Sequence, residues 1–152
     1  MERGKELEAE ALSWYQCFHL MAETTSVGFI TDDKERYGCS PDGLVGEIGG
    51  VEIKNPSAEN QGVYIDDPDK LVAKHRLQVY GSLWVTGRSW WDLVSYNPTP
   101  EMKNVVVRCL PDKEVFAALD KEMPKFLALV ETKRQNMLNK PVEIPLSEMG
   151  YE

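Results

Sequence analysis

Ser40-Pro41-Asp42-Gly43-Leu44, followed by Gly50-Val51-Glu52-Ile53-Lys54-Asn55-Pro56, is the part of this chain whose reading decides the fold. A turn ends on an aspartate, a short hairpin follows, and its second strand carries Glu-x-Lys. Alternate side chains of a strand share a face, so Glu52 and Lys54 point together while Val51 and Ile53 face the core. With Asp42 at the mouth of the hairpin, two carboxylates and one ammonium converge on a small volume. Hard carboxylate oxygens suit Mg²⁺ or Mn²⁺, and a lysine beside them can orient or deprotonate a water. Such an arrangement serves phosphodiester hydrolysis. Each half alone carries little weight, because Glu-x-Lys is most often a solvated strand face and Pro-Asp-Gly most often a turn.

Working outward, 152 residues fit one domain with room for a sizeable core. Hydrophobic content of 42% and charged content of 28% are ordinary for a globular protein. No run is long enough to span a bilayer, and Met1-Glu2-Arg3-Gly4-Lys5 is no signal peptide. Cys17, Cys39 and Cys109 form neither a disulfide framework nor a zinc pattern, which points to reduced, half-buried thiols in a cytoplasm. A net charge of -8 argues against a generic nucleic-acid binder. Its distribution softens that objection: Lys70, Lys74, Arg76 and Arg88 lie in a stretch from Lys70 to Trp91 without an acid. The sign of the whole predicts weak, salt-sensitive non-specific binding.

Periodicity orders the elements. Arg3 to His19 reads as an amphipathic helix with Leu7, Ala11, Trp14 and Phe18 as its buried stripe. Glu6 and Glu10 fall on the far side of the wheel, and Glu8 lies on the flank beside Leu12 and Tyr15, where wheel geometry favours a boundary residue. Ser26 to Thr31 reads as a strand, and Asp32 to Arg36 as a charged turn. Leu44 to Glu47 and Val51 to Lys54 are the hairpin strands around Ile48-Gly49-Gly50. Asn55 to Asp67 shows no period and reads as a loop, with Asp66, Asp67 and Asp69 capping a helix near Pro68. That helix runs from Asp69 to Val85, with Val72, Val79, Tyr80 and Leu83 apolar, His75, Gln78 and Ser82 on another face, and Gly87 as C-cap. Trp90 to Tyr96 and Asn104 to Cys109 read as strands joined by Asn97-Pro98-Thr99-Pro100. A last helix spans Asp112 to Asn136, kinked at Pro124, with Val115, Leu119, Phe126 and Val130 inward. Residues 1–139 then form one domain and 140–152 a polar tail. The order predicts an α/β core, a mixed sheet flanked by helices.

The Asp42, Glu52, Lys54 set around a Gly-Gly hairpin matches the PD-(D/E)xK nuclease signature and a restriction-endonuclease-like core. Arg3-Gly4-Lys5-Glu6-Leu7-Glu8, Gly38-Cys39-Ser40-Pro41-Asp42-Gly43-Leu44, Val51-Glu52-Ile53-Lys54-Asn55-Pro56 and Gln78-Val79-Tyr80-Gly81-Ser82-Leu83-Trp84-Val85-Thr86-Gly87 occur in the order of one family. The chain resembles the phage-type recombination exonucleases of the YqaJ group, lambda exonuclease-like proteins, from about Arg3 to Val130. The resemblance implies that Asp42, Glu52 and the carbonyl of Ile53 hold a first Mg²⁺, with Mn²⁺ as substitute. Glu8 would serve a second ion, which reverses the boundary reading. It further implies that Lys54 contacts the attacking water, that Gln78 fixes the water or the lysine, that Ser40 lies near the terminal phosphate, and that His75 touches the substrate strand. Arg76, from the basic stretch, joins the expected DNA contacts.

The implied reaction is hydrolysis of linear duplex DNA from 5′ ends, leaving 3′ overhangs. The implied partners are DNA ends, a single-strand annealing protein and further copies in a ring-shaped trimer, in a bacterial host carrying phage or prophage genes. Relatives carry some tens of residues ahead of the Arg-Gly-Lys helix, including basic side chains. On a chain starting at Met1, DNA binding is expected to rest on Lys70 to Arg88, digestion to be distributive, and 5′-phosphate preference to be weak. Two other functions compete. A RecB-type nuclease carrying an iron–sulfur cluster would need four cysteines, against three scattered ones here. A non-catalytic DNA- or protein-binding module that keeps the fold is favoured by the missing N-terminal part and disfavoured by the complete Asp42, Glu52, Lys54 set.

Overall fold

The computed structural model describes residues 2–18 and 23–139, and their order gives the expected α/β core. The expected polar tail, 140–152, lies outside the described residues. Helix α1 (Glu2–Phe18) is followed by the short strands β1 (Thr24–Thr25), β2 (Ile30–Thr31) and β3 (Gly38–Cys39). The hairpin strands β4 (Gly43–Val45) and β5 (Gly49–Lys54) come next, then α2 (Ala58–Asp66) and α3 (Pro68–Thr86). Strands β6 (Trp90–Ser95) and β7 (Val105–Cys109) and helix α4 (Lys113–Leu138) complete the chain. A five-stranded sheet runs β1-β4-β5-β6-β7, with β5 and β6 parallel and the other pairs antiparallel. Strands β2 and β3 pair separately.

The parallel β5–β6 pair is the centre, and tryptophans opposite glycines fix its register. Gly49 lies opposite Trp90 and Gly50 opposite Trp91. A Cβ at Gly49 would come within 2.1 Å of the Trp90 ring, and one at Gly50 within 2.4 Å of the Trp91 ring. These glycines are therefore strand positions and not the turn. The turn is 46–48, where Gly46 takes a left-handed φ of 52°.

Two apolar clusters sandwich this sheet. Val51, Ile53, Val94 and Tyr96 pack on Ala11 and Tyr15 of α1. On the other face Trp91, Leu93 and Cys109 pack on Leu71, Val79 and Leu83 of α3 and Tyr64 of α2. The buried stripe of α1 is thus Ala11 and Tyr15, while Phe18, expected inside, is 64% exposed.

Three further expectations give way. Asn55 to Asp67 contains a helix: Ser57 caps α2 by accepting from the Asn60 N–H, and Gln61 and Tyr64 are buried. Because one of those positions is polar, no hydrophobic period shows. Gln61 is held by its Nε2 donating to the carbonyls of Ser95 and Lys103 (3.2 and 2.7 Å) and by its Oε1 accepting from Ser95 Oγ (2.6 Å). Of the expected Ser26–Thr31 strand only Ile30–Thr31 forms, paired with β3, because the chain leaves β4 at Thr25 and residues 26–29 pair with no strand. Asp67 is the N-cap of α3 but makes no side-chain cap bond, whereas Pro68 and the left-handed Gly87 bound the helix as expected.

The chain forms two compact units, Met1–Phe116 and Ala117–Glu152. Helix α4 begins in the first, where the Asp112 carboxylate accepts from the N–H groups of Glu114 and Val115 (2.9 and 3.2 Å). It runs on through Pro124. In the second unit Phe126 and Val130 are exposed (57% and 44%), not inward. Periodicity reports that a helix has an apolar face, and not whether anything covers it.

Candidate active site

Asp42 precedes β4, and the Gly43–Val51 pairing sets it level with Glu52 on the central strand. One of its oxygens, Oδ2, accepts the Ile53 N–H at 2.6 Å, so the turn is closed by the backbone of the strand that carries the other acid. Glu52 is 3% exposed. Its Oε1 accepts from Lys54 Nζ at 2.7 Å and from Gln78 Nε2 of α3 at 2.6 Å. Glu52 Oε2 and Asp42 Oδ1 carry none of these bonds.

The electrostatics are those of a crowded anionic pocket. Burial, then the Asp42 carboxylate, push Glu52 up to about 7, against the opposing bond and charge of Lys54. Burial also raises Asp42, against the Ile53 hydrogen bond, and the charge of Glu8 raises it further. Glu8 acts on both carboxylates, so α1 brings it within electrostatic reach of them. It does not close into a tight cluster. Among the described residues no group of three His, Cys, Asp or Glu side chains stands ready to hold a metal ion. His75, one turn before Gln78 on α3, is lowered by burial and by the neighbouring charges of Lys54 and Lys74. The structure thus gathers Asp42, Glu52, Ile53, Lys54 and Gln78, with Glu8 and His75 at the margin.

Ser40 and Arg76 are placed differently. The exposed Ser40 hydroxyl donates to the Gly28 carbonyl at 3.4 Å. Arg76 points to Asp112 (3.6 Å) and lies over the Tyr80 ring, away from the carboxylates. The basic stretch around it is largely engaged. Lys70 pairs with Asp67 at 3.6 Å, and Arg88 donates to the carbonyls of Gly46 and Gly49 (2.9 and 2.7 Å). A linear count of charges could not foresee these partners. A cleft of ≈ 600 Å³ between the β2–β3 pair and the end of α3 is lined by Asp32, Arg36, Trp84 and Arg88 among others, and by none of the candidate residues.

Sequence reasoning missed a second charged constellation on the opposite face of the sheet. Asp92 of β6 is fully buried. It accepts from Tyr15 OH at 2.6 Å and, in a fork, from Arg108 Nε and Nη2 at 2.8 and 2.9 Å. The Arg108 guanidinium lies 3.8 Å from the Trp90 ring centroid. An acid inside the apolar run Trp90-Trp91-Asp92-Leu93 was the available signal.

A five-stranded mixed sheet thus carries an aspartate, a buried glutamate and a lysine converging beside its central strand, and proteins that share sequence and fold with this chain are nucleases. Residues 1–89, which include all these site residues, match the YqaJ-like viral recombinase domain. The structure is similar to that of an alkaline exonuclease, LHK-Exo, from Laribacter hongkongensis, with a TM-score of 0.76 and 31% identity over 90% of this chain and 71% of that one. It is also similar to LHK-Exo in complex with dAMP, with a TM-score of 0.80, 32% identity and the same coverage. No curated protein matches. The chain belongs to the YqaJ-like viral recombinase domain family, as an exonuclease-type enzyme.

Proposed function

We propose that this enzyme hydrolyses phosphodiester bonds at the ends of linear duplex DNA, in a reaction that requires Mg²⁺ and accepts Mn²⁺. The observation that carries the proposal is the convergence of half-buried Asp42 on buried Glu52, level with it on the paired strands, where the Asp42 charge opposes ionisation of Glu52 although Lys54 and Gln78 are bonded to it. A divalent cation would relieve that repulsion. The donor set fits a hard cation: two carboxylates and the Ile53 carbonyl offer only oxygen, and Mg²⁺ keeps several of its own waters. Glu8 would serve a second ion directly or through water. Bound there, the cation supplies Lewis acidity to the phosphodiester and a lower pKa for an attacking water.

The chain's own groups do the rest. Lys54 shares Glu52 Oε1 with Gln78, which fixes the rotamers of all three and holds an ammonium where a water and a developing negative charge would lie. His75 stays neutral at physiological pH and can hydrogen-bond the substrate strand. The exposed Ser40 can offer its hydroxyl to a terminal phosphate. LHK-Exo binds dAMP, the kind of mononucleotide that end-wise hydrolysis releases. The reading extends to attack from 5′ ends that leaves 3′ overhangs, to a trimer around the duplex, and to a single-strand annealing protein as partner.

Digestion of linear duplex labelled at either end, with 5′-phosphate or 5′-hydroxyl termini, tests this. Mononucleotide release from 5′ ends that stops in chelator is expected. Full activity in excess chelator overturns the metal reading, and loss of label from 3′ ends overturns the polarity.

A further inference from the structure

We propose that Tyr96 is a positioning residue that sets Glu8 relative to Lys54 by joining the two elements that carry them. The inference rests on the active-site reading above. Tyr96 follows the last residue of β6, and its N–H donates to the Lys54 carbonyl at 2.8 Å, which extends the β5–β6 ladder by one step at the lysine. Its ring is buried in the α1-side cluster and lies 5.9 Å from the Trp14 ring. Its hydroxyl leaves that apolar setting to donate to Glu10 Oε1 of α1 at 2.7 Å. Burial, then this bond and the Glu10 charge, raise the phenol to about 12, so it stays a donor at any working pH.

The position of this bond along α1 gives it its meaning. Among the described side chains of the helix, from Glu6 onward, the first buried are Ala11 and Tyr15, and from Glu6 to Glu10 only Leu7 is even half-buried. Helix ends without packing fray. Glu8 lies in that thinly packed stretch. Among the described residues upstream of Tyr15, Glu10 makes the side-chain hydrogen bond that reaches the sheet. The Tyr15–Asp92 bond anchors the helix further along, nearer its C-terminus. Two anchors fix both the distance of the helix from β6 and its rotation about its own axis. With the Glu10 anchor cut, Tyr15 still holds the helix body, and Glu8 loses its fixed bearing toward Asp42 and Glu52. Glu10, placed by the wheel on the far side of the helix, is exposed and still reaches Tyr96.

The test is Tyr96→Phe, which keeps the ring, with Glu10→Ala cutting the same bond from the exposed side should the first variant fold poorly. Turnover on linear duplex should fall roughly ten- to a hundredfold, the range for groups that orient metal ligands, with KM for DNA little changed. Mn²⁺ titrated calorimetrically into the DNA-free protein should bind more weakly by a similar factor. Glu10→Gln, which retains an acceptor oxygen, should recover most of both. Combined with Glu8→Gln, Tyr96→Phe should add almost nothing, because both changes remove one interaction. Wild-type turnover and Mn²⁺ binding in Tyr96→Phe and Glu10→Ala would overturn the proposal, as would a penalty that adds in full to that of Glu8→Gln. Wild-type turnover in Glu8→Gln itself would instead overturn the reading of Glu8, a separate failure.

Discussion

Two buried carboxylates, Glu52 on β5 and Asp92 on β6, face opposite sides of one sheet and meet opposite fates. Asp92 is saturated: the Arg108 fork takes both oxygens and Tyr15 adds a third donor. That geometry is the strong, planar pairing of guanidinium with carboxylate. Glu52 receives two donors on a single oxygen and faces a second acid, and its affinity for a proton rises to about 7. The first arrangement is complete without a ligand, whereas the second has an anionic deficit that a cation could fill. Burial of an acid therefore does not mark a site. An acid buried with too little positive charge does.

The largest expected effect comes from removing that little. Lys54→Ala takes away the water-orienting charge and no metal ligand. Turnover should fall by more than about a hundredfold, with DNA binding by filter or anisotropy assay kept near wild type. A loss of only a few-fold would return Lys54 to a surface ion pair. The unfolding midpoint should move less than in Asp92→Ala, because Glu52, left without its ammonium, can take up a proton instead.

Asp92→Ala should show the inverse profile. It strands a guanidinium and a tyrosine hydroxyl, and breaking a buried pair costs about 3–5 kcal/mol. Arg108 is half in solvent, at 49% exposure of its side chain, which places the cost toward the lower end. Urea unfolding should record it, while turnover per folded molecule falls less than in Lys54→Ala, since its link to the site is the Tyr15 anchor of α1 that the change also cuts. A selective loss of turnover without loss of stability would show that the two constellations are not separate.

A pH titration in chelator sharpens the contrast. Glu52 has its folded-state pKa raised above the ordinary 4.5, so the folded protein holds a proton that the unfolded chain has lost between about 4.5 and 7. Stability from this group is full below that window and is lost as pH rises through about 7. The metal-free protein should melt at lower temperature at pH 8 than at pH 5.5. Glu52→Gln should flatten the dependence, and Mn²⁺ should restore stability on the alkaline side. An unchanged profile in Glu52→Gln would locate the titration elsewhere.

The same contrast explains what was legible. Asp42, Glu52 and Lys54 are close in sequence, and one hairpin brings them together, so local pattern sufficed to group them. Gln78 and Glu8 come from distant helices and were legible only through resemblance. The Asp92–Arg108 pair depends on the β6–β7 register, which no local pattern encodes. Helix α2 was hidden because Gln61, its innermost polar group, is satisfied by carbonyls of Ser95 and Lys103 that lie far away in sequence. Apolar period finds elements whose buried faces are greasy, and is blind to those buried through hydrogen bonds.

The smallest predicted effect isolates what a fork adds beyond charge. Arg108→Lys keeps the positive charge beside Asp92. It removes the second parallel hydrogen bond and the planar contact over Trp90. An ammonium makes a point contact and is more strongly hydrated, so the exchange is not conservative here. Because charge compensation survives, the cost should be about 1 kcal/mol, near that of one net hydrogen bond, and far below that of Asp92→Ala. Denaturant midpoints of the two variants, compared at constant m-value, check this. A loss as large as that of Asp92→Ala would mean that fork geometry, not charge balance, completes the Asp92 constellation. Lys54, a single ammonium shared between one carboxylate oxygen and a prospective water, would then differ from Arg108 in shape more than in charge.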